Sequence, residues 1–351
     1  MLSLQLRQQR SARASKLTVD HGIKTFGFAR PRLCPTRRGA TKQALAPTER
    51  EGVSYDALWD AFANKVQGEW EGVTVTFNAE GSVQPLPERF VPGAYREWGV
   101  ELYDWQSQSS CLVTQGPGTV RSLRNIFKRL MPTVGCEADA IAYVEEAEDV
   151  WKADGGSPVK PVTPSGGYIA APAKLAGKAK VEVCLAAPAS QTRLRATLTL
   201  MQHWESKQWQ VTFVDLSRET YDGPFNGGVE LSGCAGGGKP FAKEPVTSSE
   251  QLSGHWTATD VYRYSKSSDT TGRLELQLAT EQGSAASVAS VEGSTTILLP
   301  LGAWVSCAAA GSEVRIVVGA LRGDSERDIA VCSFVEGCIS ELVLATEVKQ
   351  V

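Results

Sequence analysis

The chain has 351 residues, of which 21% are charged and 42% hydrophobic, a composition typical of a globular protein with room for two domains. Its formal net charge is −3, and no apolar run approaches the roughly 20 residues that span a bilayer. We therefore expect no transmembrane segment.

Positive charge is concentrated in the first 48 residues. They contain ten Lys or Arg and one acid, Asp20, among many Ser, Thr and Ala residues. This composition predicts a disordered chloroplast transit peptide over residues 1–48 and a stromal protein; a basic tail or a nucleic-acid-binding arm are the alternatives. The remaining chain has 26 basic and 38 acidic residues, so we expect no nucleic acid partner.

The cysteines indicate a reducing environment. Seven of the eight follow residue 48, an odd number, and none forms a Cys-x-x-Cys motif. Several lie in apolar strand patterns, so we expect reduced, buried thiols. A redox pair of Cys332 and Cys338 is the alternative.

A helix and a glycine-led strand open the first folded segment. Residues 54–65 place apolar side chains at helical spacing, and Gly68-Glu69-Trp70 then begins an alternating strand. The Gly-x-Trp triplet returns at Gly254-His255-Trp256, again before a stretch rich in short strands. Two copies in such settings predict two similar β-units in tandem.

The first unit contains two stretches that suggest a binding site. Between residues 98 and 108, aromatic and polar side chains stand side by side, as in the wall of a ligand pocket. Residues 192–201 form an alternating strand with two arginines on one face, which suits a carboxylated ligand. The candidate ligand-binding residues are Trp98, Tyr103, Asp104, Trp105, Arg193 and Arg195.

The second half is more plainly β. A Gly- and Pro-rich linker covers residues 222–245, and seven short strands separated by turn residues follow between residues 256 and 347. The pattern predicts an all-β protein with minor helix, formed by two tandem antiparallel lipocalin-like β-barrels. The first barrel with its leading helix is placed at 53–221 and the second at 246–351.

A Gly-x-Trp at the first strand of an antiparallel β-unit resembles the lipocalin (calycin) signature. The resemblance implies that the Trp closes one end of an eight-stranded barrel beneath an Arg near the last strand, a cation–π contact. For the second barrel, the last strand offers only Lys349. The floor residues implied by the resemblance are Gly68, Trp70 and Arg218 in the first barrel, and Gly254 and Trp256 in the second.

Residues 53–348 also resemble a plant and cyanobacterial family of unknown function built from two lipocalin-like barrels. The similarity rests on four motifs: Pro92–Trp98, Tyr103–Gln106, Pro132–Glu137 and Leu299–Cys307. It implies the fold and a photosynthetic setting but no activity. The phycobilin lyases, which attach bilins to antenna proteins, share a similar single barrel and are a distant analogy.

Three functions stay open at this point. The first is binding of a small apolar or tetrapyrrole-like ligand, with tetrapyrroles, carotenoids and lipids as candidates and the first barrel as the preferred site. The second is a non-catalytic assembly or scaffold factor for a plastid protein complex. The third is an enzyme that acts on a tetrapyrrole or lipid, with Asp104 or Glu137 as its acid; no catalytic constellation or metal-ligand spacing is evident, so we expect neither catalysis nor a metal site.

The basic N-terminus generates a prediction about location. Residues 1–48 fused to a fluorescent reporter are expected to carry it into the chloroplast, because an Arg-rich, acid-poor segment is what import requires. Imaging of the fusion tests this, with the reporter fused to residues 49–351 as the control. A cytosolic reporter on the first fusion would contradict the prediction.

Overall fold

The computed structural model describes residues 55–114, 121–130, 143–152, 160–228, 239–266, 274–279, 289 and 293–350. For residues 143–147, 152 and 274–279 it describes the backbone alone. The predicted transit peptide, the motif Pro132–Glu137 and the middle of the predicted linker lie outside the described residues. The described elements are short helices and many strands, which confirms the all-β class.

Eight antiparallel strands form the first sheet, sheet A, in the order β4-β3-β2-β1-β8-β7-β6-β5. Each neighbouring pair but β1 and β8 is consecutive in the chain. The edge strands β4 and β5 meet through side chains, with the Trp151 and Tyr168 rings 4.6 Å apart, so the sheet curls around its inner face. The strands are β1 Gly68–Asn78, β2 Asp104–Thr114, β3 Ser122–Leu130, β4 Tyr143–Lys152, β5 Tyr168–Ala170, β6 Lys178–Ala187, β7 Thr192–Gln202 and β8 Trp209–Gly223.

A helix closes one end of the curled sheet. Helix α1, Tyr55–Val66, buries one apolar stripe that includes Leu58, Trp59 and Phe62. The Phe62 ring meets the edge of Tyr168 in β5 at 6.4 Å. We call this end, where β1 begins and β8 ends, the floor, and the opposite end the mouth.

The second sheet, sheet B, has seven described antiparallel strands in the order β10-β9-β15-β14-β13-β12-β11. Two short helices lie outside the sheets: α2, Gly93–Glu97, in the β1–β2 connection, and α3, Ser249–Leu252, before β9. The strands are β9 Trp256–Lys266, β10 Leu274–Ala279, β11 Thr295–Leu298, β12 Ala303–Ala310, β13 Glu313–Leu321, β14 Glu326–Val335 and β15 Cys338–Lys349.

The two sheets share one hydrophobic core. Val183 and Leu198 on the outer face of sheet A belong to the same cluster of buried side chains as Ile316, Val318 and Leu344 of sheet B. Sheet B thus covers the convex side of sheet A, and the apolar face of the curled sheet points outward. Residues 38–351 form one compact unit, so the domain boundaries inferred from the sequence stay a prediction.

One cysteine differs from expectation. Cys111, Cys184, Cys307 and Cys332 are free, and burial raises the pKa of Cys184 and Cys332 to about 12, which keeps both thiols protonated. Cys338, by contrast, is disulfide-bonded. The expectation that all the thiols are reduced was therefore wrong for Cys338, and its partner is not Cys332.

Tyr264 generates a test of the shared core. Its buried hydroxyl donates to the Val162 carbonyl at 2.8 Å and accepts from the Val162 amide at 3.0 Å, which ties β9 to the segment before β5. Tyr264→Phe leaves both backbone groups buried without their partner, so we expect a loss of about 1–3 kcal/mol in the free energy of unfolding.

Urea denaturation measures this loss. The control is Tyr262→Phe, two residues away on the same face, where no hydrogen bond to the hydroxyl is seen among the described residues and the expected change is within about 0.5 kcal/mol. Equal effects of the two substitutions would show that the Val162 bridge does not hold the sheets together.

Candidate functional site

The inner face of sheet A is polar and encloses a cavity of about 310 Å³. Its lining comes from β1 and from β3 to β8. The strand pairing explains the polarity, because alternate residues share a face and the apolar set already covers the side toward sheet B. The polar lining residues are Thr74, Asn125, Arg129, Glu148, Asp149, Lys180, Glu182, Arg195, Thr197, Asp215 and Ser217, with Phe127 and Trp151 as aromatic walls.

The register of β7 and β8 places basic and acidic side chains opposite each other. Arg193 faces Glu219, and Arg195 faces Ser217. Arg193 Nε donates to Glu219 Oε2 at 2.5 Å, and Arg195 Nη2 donates to Glu219 Oε1 at 2.6 Å. One carboxylate therefore bridges two guanidinium groups, and all three side chains are buried.

A second carboxylate completes the network toward the mouth. Glu182 on β6 accepts hydrogen bonds from Arg195 at 3.3 Å, Thr197 at 3.2 Å and the Tyr168 hydroxyl at 2.7 Å. Two arginines and two glutamates thus balance in charge. Buried charges are tolerated when they are paired and hydrogen-bonded in this way.

Electrostatics keep Glu219 ionised. Burial alone would raise the pKa of this carboxyl, but the Arg193 and Arg195 guanidinium groups outweigh burial and lower the pKa to about 2. The positive charges of Arg193 and Arg195 are consequently neutralised within this network. Neither arginine offers a free cation to a ligand carboxylate.

Arg193 also forms the floor with Trp70. Its guanidinium carbon lies 4.1 Å from the centre of the indole, and Trp70 Nε1 donates to the Val66 carbonyl at the end of α1 at 2.9 Å. The sequence resemblance assigned this contact to Arg218, which was wrong. Arg218 lies on the outer face, 5.3 Å from the centre of the Phe241 ring and 3.3 Å from Glu244.

Sheet B repeats this floor. Arg327 stacks on Trp256 at 4.1 Å and pairs with Glu347 at 2.6 Å, while Trp256 Nε1 donates to the Leu252 carbonyl at 3.0 Å. The arginine is on the second-to-last strand and the glutamate on the last, as in sheet A. The second floor is therefore closed by an arginine, whereas the sequence offered only Lys349, which lies 5.4 Å from the Trp256 ring.

The glycines of the two Gly-x-Trp triplets also correspond. Gly68 is the first residue of β1 and Gly254 lies two residues before β9; their φ angles are +127° and +109°, a backbone conformation that residues with a side chain rarely adopt. Each glycine sets the direction in which the chain enters the strand that carries the floor tryptophan. The repeat thus extends from the entry glycine through the tryptophan to the Arg–Glu pair.

The interiors above the two floors differ. On the face of sheet B that carries Trp256, the Trp304 indole lies across Gly319, where a Cβ would be 2.1 Å from the ring. Val317, Ile329, Val331 and Val343 complete this second apolar cluster. The described side chains on this face of sheet B are thus mainly apolar, whereas the cavity of sheet A has a polar lining.

The predicted aromatic site is divided. Tyr103 and Asp104 line a separate cavity of about 570 Å³ at the start of β2, outside the cavity of sheet A. Trp105 lies on the inner face, where Arg129 is 5.3 Å from its ring centre, but Asp104 points outward and accepts hydrogen bonds from the Phe241 and Ala242 amides. Tyr103 donates to Glu101 outside the cavity, and Trp98 is 63% exposed. Of the candidate ligand-binding residues, Arg195 alone is among those that line the cavity of sheet A.

A further cavity, of about 300 Å³, lies between the sheets. Arg322 of sheet B crosses it, pairing with Asp328 and donating to the Ala186 carbonyl of β6. Burial raises the pKa of Asp328 to about 6, partly opposed by Arg322. This carboxyl has a role in joining the sheets, since the Arg322 contact to Ala186 spans the interface.

Sequence analysis missed Glu182, Glu219, Arg327 and Glu347. The signal was present in β8, where Asp215, Ser217 and Glu219 alternate in step with Arg193, Arg195 and Thr197 of β7. A strand predicted from the apolar alternation of Trp209, Val211 and Phe213 ends at Leu216 and so omits that pairing, whereas β8 continues to Gly223. In the described residues, no group of three His, Cys, Asp or Glu side chains has a metal-binding arrangement, and no helix has the length and apolar character to cross a membrane.

Comparison with known proteins adds fold relationships only. No family model and no curated protein matches the chain. It is similar to a protein of unknown function from the DUF3598 family of Nostoc punctiforme, with a TM-score of 0.49 and 18% identity over 84% of this chain and 99% of that one. It is also similar to an S-type phycobiliprotein lyase of Guillardia theta, with a TM-score of 0.28 and 13% identity over 47% of this chain and 93% of that one. At this level of similarity neither match transfers an activity, and the resemblance to a plant and cyanobacterial family stays a prediction.

The Glu219 network predicts a pH-dependent stability. Glu219→Gln removes the carboxylate that bridges the buried guanidinium groups of Arg193 and Arg195 and leaves Arg195 with Glu182 alone, so we expect a loss of about 3–5 kcal/mol in the free energy of unfolding at neutral pH. Because the pKa of Glu219 falls from 4.5 to about 2 on folding, its stabilising contribution is present above pH 4.5 and lost as the pH falls toward 2. The difference between the variant and the native protein should shrink over the same window.

Urea denaturation from pH 7 downward gives both numbers. The control is Glu341→Gln, which breaks a half-exposed pair with Arg263 in sheet B and is expected to cost at most about 1 kcal/mol. A loss for Glu219→Gln no larger than for this control would contradict the bridging role of Glu219.

Proposed function

We propose that the protein binds a small molecule in the cavity of sheet A. The observation that carries this proposal is the open volume of about 310 Å³ above the Trp70 floor, lined by charged, hydroxyl and aromatic side chains. Ligand pockets in proteins start at roughly 300 Å³, so the space accommodates a small ligand or one end of a larger one. On the equivalent face of sheet B, the described side chains around Trp304 form an apolar cluster.

The lining favours a ligand with hydrogen-bonding groups over a wholly apolar one. An apolar chain would remove water from Glu182, Asp215 and Thr197 without replacing their hydrogen bonds, which costs free energy. The rings of Phe127 and Trp151 offer apolar walls to a flat, conjugated portion of the ligand. Lipid tails and carotenoids are therefore weaker candidates than a polar aromatic compound.

The lining holds four acidic and three basic side chains, so an acidic group of the ligand would lie beside Lys180 at the mouth. Deep in the cavity, Arg195 is neutralised by Glu219 and Glu182. Lys180 lines the cavity nearer the mouth, is exposed, and has no carboxylate partner in the described part of the chain. A ligand carboxylate would pair with Lys180 while the uncharged end lies against Phe127.

A tetrapyrrole is the specific candidate that combines these features. It has a conjugated, flat body, polar pyrrole nitrogens and carboxylate side chains. In a cavity near the lower size limit it would enter with one end, and its carboxylates would stay at the mouth. The predicted chloroplast stroma is a setting where such compounds occur.

The scaffold alternative draws on sheet B. Because its Trp256 face is packed with Trp304 and aliphatic side chains, this half is suited to structural support. An enzyme is less well supported. Asp104, one proposed acid, is held by two backbone amides outside the cavity, and Glu137 lies outside the described residues.

Ligand binding can be tested by calorimetric titration with a bilin dicarboxylate and its dimethyl ester. Thr197→Leu, which fills the middle of the cavity, should weaken both compounds at least about ten-fold. Lys180→Gln should weaken the dicarboxylate by roughly two- to five-fold and leave the ester unchanged, because an exposed ion pair contributes up to about 1 kcal/mol.

Two matched substitutions serve as controls. Thr296→Leu makes the same exchange at a hydrogen-bonded threonine of sheet B, and Lys65→Gln removes a lysine at the floor end. Both should bind as the native protein does. Binding that survives Thr197→Leu, or no binding of either compound to the native protein, would exclude a tetrapyrrole site in this cavity.

A further inference from the structure

Large apolar side chains are exposed where β7 turns into β8 at the mouth. Met201 and Phe213 are each 43% exposed, and Trp204 in the turn at 203–208 is 74% exposed. Met201 and Phe213 extend the inner wall of sheet A above the cavity. Exposed apolar side chains that are grouped together mark interaction sites, whereas isolated ones are ordinary.

Basic residues accompany these apolar side chains. Lys178 is the cross-strand neighbour of Met201, and Lys207 lies in the same turn as Trp204. Neither lysine has a carboxylate within salt-bridge distance among the described residues, and Glu205 is the one acid of the turn. We call the surface formed by Lys178, Met201, Trp204, Lys207 and Phe213 the lip.

The lip contrasts with the charge of the rest of the chain. Residues 49–351 contain 26 basic and 38 acidic residues, so their net negative charge repels an anionic surface. A local group of lysines therefore determines which side of the protein can approach such a surface. Lys180, which follows Lys178 on the same face, adds to the positive charge at the mouth.

The shape and composition of the lip favour a lipid surface over a protein groove. Trp204 projects from a hairpin turn, so it can enter the headgroup region without a preformed complementary pocket. Indole and lysine are the residues enriched at membrane interfaces, where the ring lies among headgroups and the ammonium pairs with lipid phosphate. A protein partner would have to supply a pocket for Trp204 together with acids for both lysines.

We propose that the lip docks the protein on an anionic lipid surface, with the mouth of sheet A toward the lipid. This inference does not depend on the identity of the cavity ligand. Docking in this orientation would place the cavity opening next to the membrane. The contact is peripheral, made by one turn and the adjacent strand ends.

Co-sedimentation of the full chain with phosphatidylglycerol–phosphatidylcholine vesicles tests the proposal in the absence of any cavity ligand. Lys178→Gln combined with Lys207→Gln should lower the partition coefficient at least roughly ten-fold, and Trp204→Ala should lower it as well. Glu205→Lys should raise it. Added salt should weaken binding of the native chain, because the charges are exposed.

The control is Lys65→Gln combined with Lys266→Gln, which removes two lysines that are not part of the lip, one in α1 and one in β9, and should leave most of the binding intact. This comparison separates the lip from the basic residues 1–48, which are the same in every variant. Equal binding by the lip and control variants would assign vesicle binding to the N-terminus and overturn the proposal. Absence of vesicle binding by the native chain would overturn it too, and so would a lip that binds a polypeptide but not the vesicles.

Discussion

The bridging of two guanidinium groups by Glu219 is the interaction on which the inside of sheet A depends. Arg193 and Arg195 lie in the same strand and point into a space that water barely reaches. Their charges are tolerated there because Glu219 on β8 forms salt bridges with both arginines, and Glu182 on β6 forms a further salt bridge with Arg195. The strands β6, β7 and β8 must therefore pair in the register that brings these four side chains together next to the Trp70 floor. The part of the cavity wall nearest the floor then carries no net charge.

The same arrangement of Trp, Arg and Glu closes sheet B, yet the two interiors have opposite character. In sheet A, hydroxyl and charged side chains leave an open space above the floor. In sheet B, the lack of a side chain at Gly319 lets the Trp304 indole pack directly against the strand, in a cluster with Val317 and Ile329. The same Trp–Arg–Glu floor therefore lies beneath a candidate binding cavity in sheet A and beneath an apolar cluster in sheet B. The two interiors differ in a few side chains.

Sequence analysis identified the strands and the repeated Gly-x-Trp entry because both depend on local patterns. It did not identify the cavity lining, because alternation shows which residues share a face but not which face is inside. In sheet A the apolar face is outside, since sheet B covers it, and this places Asp104 away from the cavity while Trp105 points inward. The partner of Trp70 was misassigned for a related reason: Arg193 is close to it through the pairing of β7 with β8 and of β8 with β1, a relation between distant segments.

Direct observation of the Glu219 carboxyl would test this account most closely. With 13C-labelled glutamate in the protein, the Glu219 side-chain resonance is assigned by its loss in Glu219→Gln and followed by NMR as the pH falls. The account predicts an ionised carboxylate whose resonance barely shifts until the pH is well below 4.5, the ordinary value, because the two arginines hold the pKa near 2. A midpoint at or above 4.5 would show that the guanidinium groups do not converge on Glu219, and the absence of net charge on the wall nearest the floor would then be wrong.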